Sequence, residues 1–426
     1  MFSRSVNKST YYYKVIGILG IMLSVLWVSF INTQPFSDFK YYHELAVQIS
    51  QGGAWGDTYT SVGYPIVLGY IYKIFGTNIM IGKIFNLILY SLNILLLKKI
   101  LDNVNIDEKK SKIVFTIFVL FPANIFYVSI LGTETFFTFL ILLVTFLYFS
   151  KLKYKYIVVG IVTGLATMVK PFFIAFFFAV FLMEIIFNKN LIHALKKSLI
   201  VLVIACLVIA PWIYRNTKLN GQFTTVSNNG GIVLYINNNS QNQLGRWMPA
   251  ADVENSLVKT EEYKKASMTE KNKMLTKAAK SWIKEHPKQF FTLGVKRLIN
   301  TYVLGDDLGY SLNGVGIDSN TGYSMIKYYG CVKAVIFLLS ILSILMYTIY
   351  TLVNLIQGRI YELEKFKVYM LLIFYMFTVV YFITEGQARY AFPLIFIAVF
   401  MFYDFIEKII NTFLYKRSAS IFISGK

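Results

Sequence analysis

Long apolar runs, broken by short polar or lysine-bearing intervals, recur from one end of this 426-residue chain to the other. A bilayer-spanning helix needs ~20 mostly apolar residues. Runs of about that length predict spans near 13–31, 79–98, 113–130, 134–150, 155–169, 171–187, 197–214, 331–356, 366–384 and 390–410. Two stretches after the first run differ. In PFSDFKYYHELAVQISQGG, His43, Glu44 and Gln48 follow Asp38 at near-helical spacing, which predicts an amphipathic helix over 39–51 lying along the membrane surface. SVGYPIVLGYIYKIFGT, residues 60–76, predicts a second surface-lying or re-entrant helix.

The one long water-soluble segment is 216–330. Its first part, TTVSNNGGIVLYINNNSQNQLG, predicts turns around a short strand. Residues 251–302 are charged and helical in pattern, with a new helix starting at Pro287, since proline suits the first helical turn. The fold class expected is an all-α polytopic membrane protein. It has about ten transmembrane helices, two surface-lying helices in the first outer loop and a small, mainly helical outer domain. The expected modules are a membrane catalytic module over 1–215 that includes outer loop 32–78, the outer loop domain 216–330, and C-terminal spans over 331–426.

Composition agrees: the chain is 56% hydrophobic and only 15% charged, too little charge to cover a soluble domain of this size. The net charge of +20 does not imply nucleic acid, because the basic residues recur in small groups between apolar runs. Lys98, Lys99, Lys109, Lys110 and Lys112 form one group. Lys151, Lys153 and Lys155, then Lys189, Lys196 and Lys197, form the next two. Arg359, Lys365 and Lys367 follow, and Lys408, Lys416 and Arg417 close the chain. Ten spans place all of them on one side with both termini, the positive-inside pattern of a cytoplasmic face. Counting 60–76 as a span would break that agreement. Arg4, Lys8 and Lys14 before a first run without a small-x-small cleavage site predict an uncleaved signal anchor. Cys206 and Cys331 lack ligand-like spacing, and His43, His193 and His286 are scattered, so neither a disulfide framework nor a histidine metal site is implied. The style of the chain fits a bacterial plasma membrane.

The opposite face collects isolated polar residues. These are Asp38 and Glu44, Gly132-Thr133-Glu134, Lys170-Pro171, Pro211-Trp212 with Arg215-Asn216, and Glu385 with Arg389-Tyr390. A carboxylate at the depth of Asp38 is costly unless it reacts, pairs or binds a cation. The plainer alternative is a helix cap. The asymmetry predicts an outward-facing active site.

In their order along the chain these segments resemble the GT-C glycosyltransferases. The likeness is to bacterial relatives of the protein O-mannosyltransferases and of the aminoarabinose transferase acting on lipid A, of the glycosyltransferase family 39 type. The resemblance runs over nearly the whole length. It rests on SDFKYYHELAVQISQGG followed by GYP and IFG, on Tyr127 spaced before Thr133-Glu134, and on Lys170-Pro171. PWIYRN, SNNGGIVLYINNN, HPKQFFTLGVKRL and a late ARYAFP complete it. It implies that Asp38 is the catalytic base, that Glu134 is the second acidic residue, and that the two surface helices border a cavity for a polyprenyl-phosphate sugar. GYP stands where the aminoarabinose branch has a Lys-Pro pair, which leaves sugar and acceptor open.

The chemistry is consistent with those residues. A lipid-phosphate sugar carries its own leaving group, so the enzyme needs a base at the acceptor hydroxyl and positive charge at the departing phosphate. One displacement with a single base inverts the anomeric carbon, unlike the two-carboxylate retaining hydrolases. Lys83, Lys170, Arg215 and Arg389 are the phosphate candidates, with Glu44 and Tyr42 in the substrate-binding set. Three of the cations have a plainer alternative: interfacial snorkelling for Lys83, a turn anchor for Lys170, and an i,i+4 pair with Glu385 for Arg389. Glu134 reads as an orienting carboxylate or as a first-turn acid matched to the helix dipole. Tyr41, Tyr42 and Trp55 are candidates for stacking on a sugar, against the packing and interface-belt roles of most of the 31 tyrosines and 37 phenylalanines. Some GT-C enzymes use a divalent cation; two carboxylates do not establish one.

The expected activity is sugar transfer to a glycan, lipid or protein acceptor, with membrane lipid and no nucleic acid among the partners. A polysaccharide polymerase is the alternative enzyme, and would favour outer arginines over a carboxylate after the first span. A lipid-linked sugar flippase would need polar groups mid-span, where Glu184 near an inner end is the charge that stands out.

Overall fold

Each predicted apolar run coincides with helix in the computed structural model, which describes the backbone of residues 2–424 and the side chains of 10–412. Arg4, Lys8, Lys416 and Arg417, part of the charge reading, lie outside the described side chains. The first half of the chain comprises α1 (Phe2–Phe30), α2 (Ser37–Ser50), α3 (Gly63–Phe75), α4 (Ile79–Asn103), α5 (Glu108–Val119), α6 (Pro122–Phe126), α7 (Thr133–Tyr148), α8 (Lys155–Val169), α9 (Phe176–Asn188) and α10 (Leu191–Asn220). Among the described residues, six helices are long and apolar enough to cross a membrane: Thr10–Phe30, Ile79–Asn103, Pro171–Asn188, Leu191–Asn220, Ser319–Ile356 and Lys365–Ile383. The pair Glu108–Val119 and Pro122–Ser129, bent by 50°, makes up to seven. Pro122 accounts for the bend, since it cannot donate the hydrogen bond that would continue the helix. Thr133–Tyr148 and Lys155–Val169 are apolar but shorter.

Packing explains the glycine spacing on α8. A Cβ on Gly160 would lie 2.7 Å from Ile204, and one on Gly164 2.6 Å from Val208. Glycine at this four-residue interval lets α8 and α10 approach closely, as small residues do between membrane helices. The amphipathic pair α2 and α3 packs together in the same way, with Gly69 against Ile49. At 14 and 13 residues both are well below a bilayer's thickness.

The polar segment that follows holds α11 (Gly230–Asn237), α12 (Glu261–Lys265), α13 (Met268–Glu285), α14 (Pro287–Tyr302) and α15 (Leu308–Ser311). The strand expected within 224–245 is not formed, and no strand occurs among the described residues. GGIVLYIN is instead helical: it has no partner strand, and it buries Tyr235 and Ile236 against Leu275 and Ala279 of α13. Gly231 permits the contact, its N–H donating to Asn272 Oδ1 at 2.6 Å where a Cβ would collide. α13 starts with a reciprocal Ser267–Glu270 capping box, and α14 starts at Pro287 as its sequence predicts. The chain returns through α16 (Ser319–Ile356), α17 (Lys365–Ile383) and α18 (Ile395–Ser424).

Buried Arg297 of α14 ties the polar segment to the bundle. It donates to the Phe382 and Ile383 carbonyls at 2.6 and 3.2 Å, where α17 ends and its carbonyls lack intrahelical partners. Its other branch binds the Asn237 carbonyl and Asn238 Oδ1. Gly386 lies directly on the Arg297 backbone. The loop 384–390 is thereby clamped beneath the polar segment.

Candidate active site

The clamped loop places Arg389 against the start of α2. Its Nη2 donates to Asp38 Oδ2 at 2.7 Å, and its guanidinium carbon lies 5.5 Å from the ring centroids of both Phe39 and Tyr390. Arg389 is almost buried, whereas about half of the Asp38 side chain remains exposed. Asp38 lies in the first turn of α2 but makes no capping hydrogen bond, so the cap alternative does not hold. Nor does Arg389 pair with Glu385; that carboxylate accepts from Gln387 and from the Tyr390 hydroxyl, each at 2.6 Å.

Glu134 lies behind this pair, in the first turn of α7 and 2% exposed. Its Oε2 is buried with no hydrogen-bond partner, and so is Arg389 Nε. Glu134 is within electrostatic reach of Lys170, Arg389 and Tyr42. Gly132 leaves room for the carboxylate: a Cβ there would collide with Oε2 and lie 3.0 Å from the Phe39 ring. Burial pushes the Tyr42 hydroxyl up, with the Asp38 charge adding to the shift.

Lys170 sits 5.6 Å from the Tyr390 ring centroid. With Pro171, Tyr381, Glu385 and Tyr390 it lines a cavity of about 440 Å³, whose opposite wall is the Asn-, Gly- and Ser-bearing stretch before and within α11. The backbone there is fixed, since the Tyr381 hydroxyl donates to the Tyr390 carbonyl at 2.9 Å.

The other candidates lie apart from this cluster. Lys83 is buried on α4, so it does not snorkel, and it makes no ion pair with Asp38 or Glu134. Arg215 donates to the Gly56 and Asp57 carbonyls and lies over the Trp212 ring at 4.4 Å, holding the 51–62 loop on α10. Glu44 is exposed and only 3.8 Å from Lys40. Trp55 stacks on Trp212 at 6.5 Å, and Tyr41 accepts from Thr60.

Sequence reasoning passed over the support of Arg389. Buried Lys333 donates to the Ala388 carbonyl at 2.7 Å and lies 3.7 Å from Asp307 Oδ1. The Tyr127 and Tyr329 hydroxyls donate to Asp307 Oδ2 at 2.9 and 3.3 Å. Burial pushes the Asp307 carboxyl up, and Lys333 opposes it. A lysine inside an apolar run was the available signal, because such a charge requires a partner.

No group of three or more histidine, cysteine, aspartate or glutamate side chains that could hold a metal ion occurs among the described residues. The two site carboxylates face Arg389 and Lys170 instead, a donor set poorly fitted to a divalent cation.

No protein-family model matches the chain, and no curated protein matches it. Solved structures do. The Archaeoglobus fulgidus oligosaccharyltransferase tethered to an acceptor peptide aligns over 96% of this chain and 51% of its own, at TM-score 0.51 and 9% identity. The archaeal oligosaccharyltransferase AglB from the same organism, in complex with an inhibitory peptide and a dolichol-phosphate, aligns over 96% and 52%, at TM-score 0.50 and 11% identity. The chain thus shares the fold of this oligosaccharyltransferase and spans about half of its length.

Proposed function

We propose that the protein is a GT-C type glycosyltransferase that moves a sugar from a polyprenyl-phosphate donor to a cell-envelope acceptor at the outer face of a plasma membrane. In this reading all ten apolar runs cross the bilayer, both termini are cytoplasmic, and α2 and α3 lie along the outer surface. The observation that carries it is the pairing of opposite needs at one end of the bundle. An accessible carboxylate, Asp38, is held beside a cation, Arg389, next to a buried carboxylate with an open lone pair and a cavity lined by a second cation. The dolichol-phosphate named with the structural neighbour agrees with a lipid-phosphate donor.

Asp38 takes the acceptor hydroxyl proton as the acceptor oxygen bonds to the anomeric carbon. The bond from that carbon to the phosphate oxygen breaks, and polyprenyl phosphate leaves with the electron pair. Arg389 and Lys170 receive its negative charge, the arginine able to make a two-pronged contact. A phosphate that engages Arg389 competes with Asp38 for the same guanidinium, so donor binding releases the base. Buried, with its Oε2 short of a hydrogen-bond donor, Glu134 holds Arg389 and Lys170 towards the cavity. Attack from the face opposite the phosphate inverts the anomeric carbon.

The test is transfer from a panel of undecaprenyl-phosphate sugars to membrane acceptors, with wild type beside Asp38→Asn. The expected result is product from one donor, reduced ~10²–10⁴-fold in the variant while membrane insertion persists, as for loss of a general base. An unchanged rate in Asp38→Asn removes that residue from the chemistry. No product from any donor counts against transfer.

A further inference from the structure

A second, smaller cleft adjoins the Asp38–Arg389 pair and shares no lining residue with the Lys170 cavity. It encloses about 200 Å³ between Arg246, Trp247, Asp306, Tyr310, Gln387 and Ala388. Two links join it to the reaction centre. Gln387 and Ala388 directly precede Arg389. The Tyr310 ring packs 5.8 Å from Phe36 and 5.6 Å from Phe39, two residues that flank Asp38.

The cleft presents three kinds of group at once. Arg246 Nη1 donates to Asp306 Oδ2 at 2.6 Å, while Arg246 Nη2 is buried without a hydrogen-bond partner. The Asp306 side chain keeps 44% of its surface exposed, leaving acceptor capacity beyond the ion pair. Trp247 is 63% exposed, a large ring that neither the fold nor the transfer chemistry uses. The wall is held in place: the Arg246 carbonyl accepts from Asn242 at 2.8 Å, the Leu244 carbonyl accepts from Asn300 at 2.8 Å, and Gly386 N–H donates to the Gly245 carbonyl at 3.3 Å.

Ligand chemistry follows from that set. A phosphate would meet the Asp306 carboxylate, an ammonium would meet Arg246, and an apolar group would leave Arg246 Nη2 and the spare acceptor capacity of Asp306 without partners. A neutral polyol satisfies all three groups. Adjacent hydroxyls accept from Arg246 and donate to Asp306, while the C–H face of a sugar ring covers the Trp247 indole. The volume fits about one such ring, and a small pocket with a few placed polar groups is the usual form of a specific subsite.

We propose that this cleft is the acceptor subsite for a single uncharged monosaccharide unit, so that the acceptor is a glycan and not a peptide. The word acceptor rests on the transferase reading; the saccharide site does not. Binding is measured by saturation-transfer NMR on the full chain in detergent micelles, with a panel of methyl glycosides and a serine-containing peptide. Wild type, Asp38→Asn, Trp247→Ala and Asp306→Asn are compared. Trp247 is exposed and Asp306→Asn is nearly isosteric, so both variants should insert and melt like wild type.

The expected result is that at least one methyl glycoside binds wild type and Asp38→Asn alike, weakens tenfold or more in both cleft variants, and is not matched by the peptide. With transfer in hand, the cleft variants raise KM for acceptor and leave KM for donor unchanged. Absence of glycoside binding to wild type, equal binding in Trp247→Ala and Asp306→Asn, or peptide binding that those variants abolish would each overturn the proposal. Glycoside binding at the cleft without transfer in any assay would sink the transferase reading and leave the saccharide site standing.

Discussion

Glu134 and Glu184 are equally buried, each 2% exposed, yet their surroundings are opposite. Glu184 is fully engaged. Its Oε1 accepts from Tyr148 and Tyr156 at 3.0 and 2.7 Å, and its Oε2 from Asn188 and Lys197 at 2.5 and 3.3 Å. Glu134 Oε2 has no donor, and the nearby Arg389 Nε has no acceptor. Both glutamates incur the cost of burial, but only one recovers it within the protein. The Glu184 end of the bundle carries the lysine-rich loops, where three lysines surround Asp404: Lys110 and Lys367 at 2.8 and 2.7 Å from Oδ1, and Lys408 at 3.6 Å from Oδ2. The Glu134 end carries the cavity and the cleft. A buried charge alone therefore marks structure. A buried charge left short of partners beside open space marks a place prepared for a substrate.

The largest effect that sharpens this contrast is expected from Arg389→Lys. It shortens the link to Asp38 and removes the two-pronged contact, and loss of such a placed donor costs ~10²–10³ in rate. The measurement is donor turnover by membranes matched for protein content. Gly132→Ala should follow: its Cβ drives the Glu134 carboxylate out of place, and a ~1 Å misplacement near the chemistry costs ~10²-fold. A normal rate in that alanine variant would detach Glu134 from catalysis.

The smallest effect concerns α2 itself. His43 Nδ1 lies 2.9 Å from the Tyr72 hydroxyl, and burial lowers its pKa from the usual 6.5. A histidine held neutral in the folded state binds fewer protons than the unfolded chain, so its contribution is present above pH 6.5 and is lost as pH falls through the lowered value. The melting temperature should drop on acidification from pH 6.5 down to that lowered value, and less so in His43→Gln.

The apolar pattern made the helices legible because membrane burial imposes one requirement on every span. The short helix α2 was legible for the converse reason, since its polar residues recur at helical spacing, and α3 because counting it as a span breaks the charge pattern. Asp38, Glu134, Lys170 and Arg389 could be named because each is an isolated charge at the end of an apolar run, and the structure brings them to one place. Arg215 carried the same signal and serves the 51–62 loop, since run position does not tell which carbonyls a guanidinium will meet. Arg246, Asp306 and Asp307 went unseen within a polar segment where a charge is ordinary. Their partners lie 60 residues away for Arg246 and 180 for the Tyr127 contact of Asp307. GGIVLYIN was misread because its β-branched run fits a strand until α13 supplies an apolar face for a helix.

The most direct test of the contrast is Glu134→Gln beside Glu184→Gln, each measured for sugar transfer per folded molecule and for thermal stability. The account predicts that Glu134→Gln loses transfer at least a hundredfold and loses less stability than Glu184→Gln, because its Oε2 gives up no hydrogen bond. Glu184→Gln should lose ~1–3 kcal/mol of stability, as for a broken buried hydrogen-bond set, while each folded molecule transfers at the wild-type rate. Full transfer in Glu134→Gln, or a transfer defect confined to Glu184→Gln, would contradict the assignment of the active end.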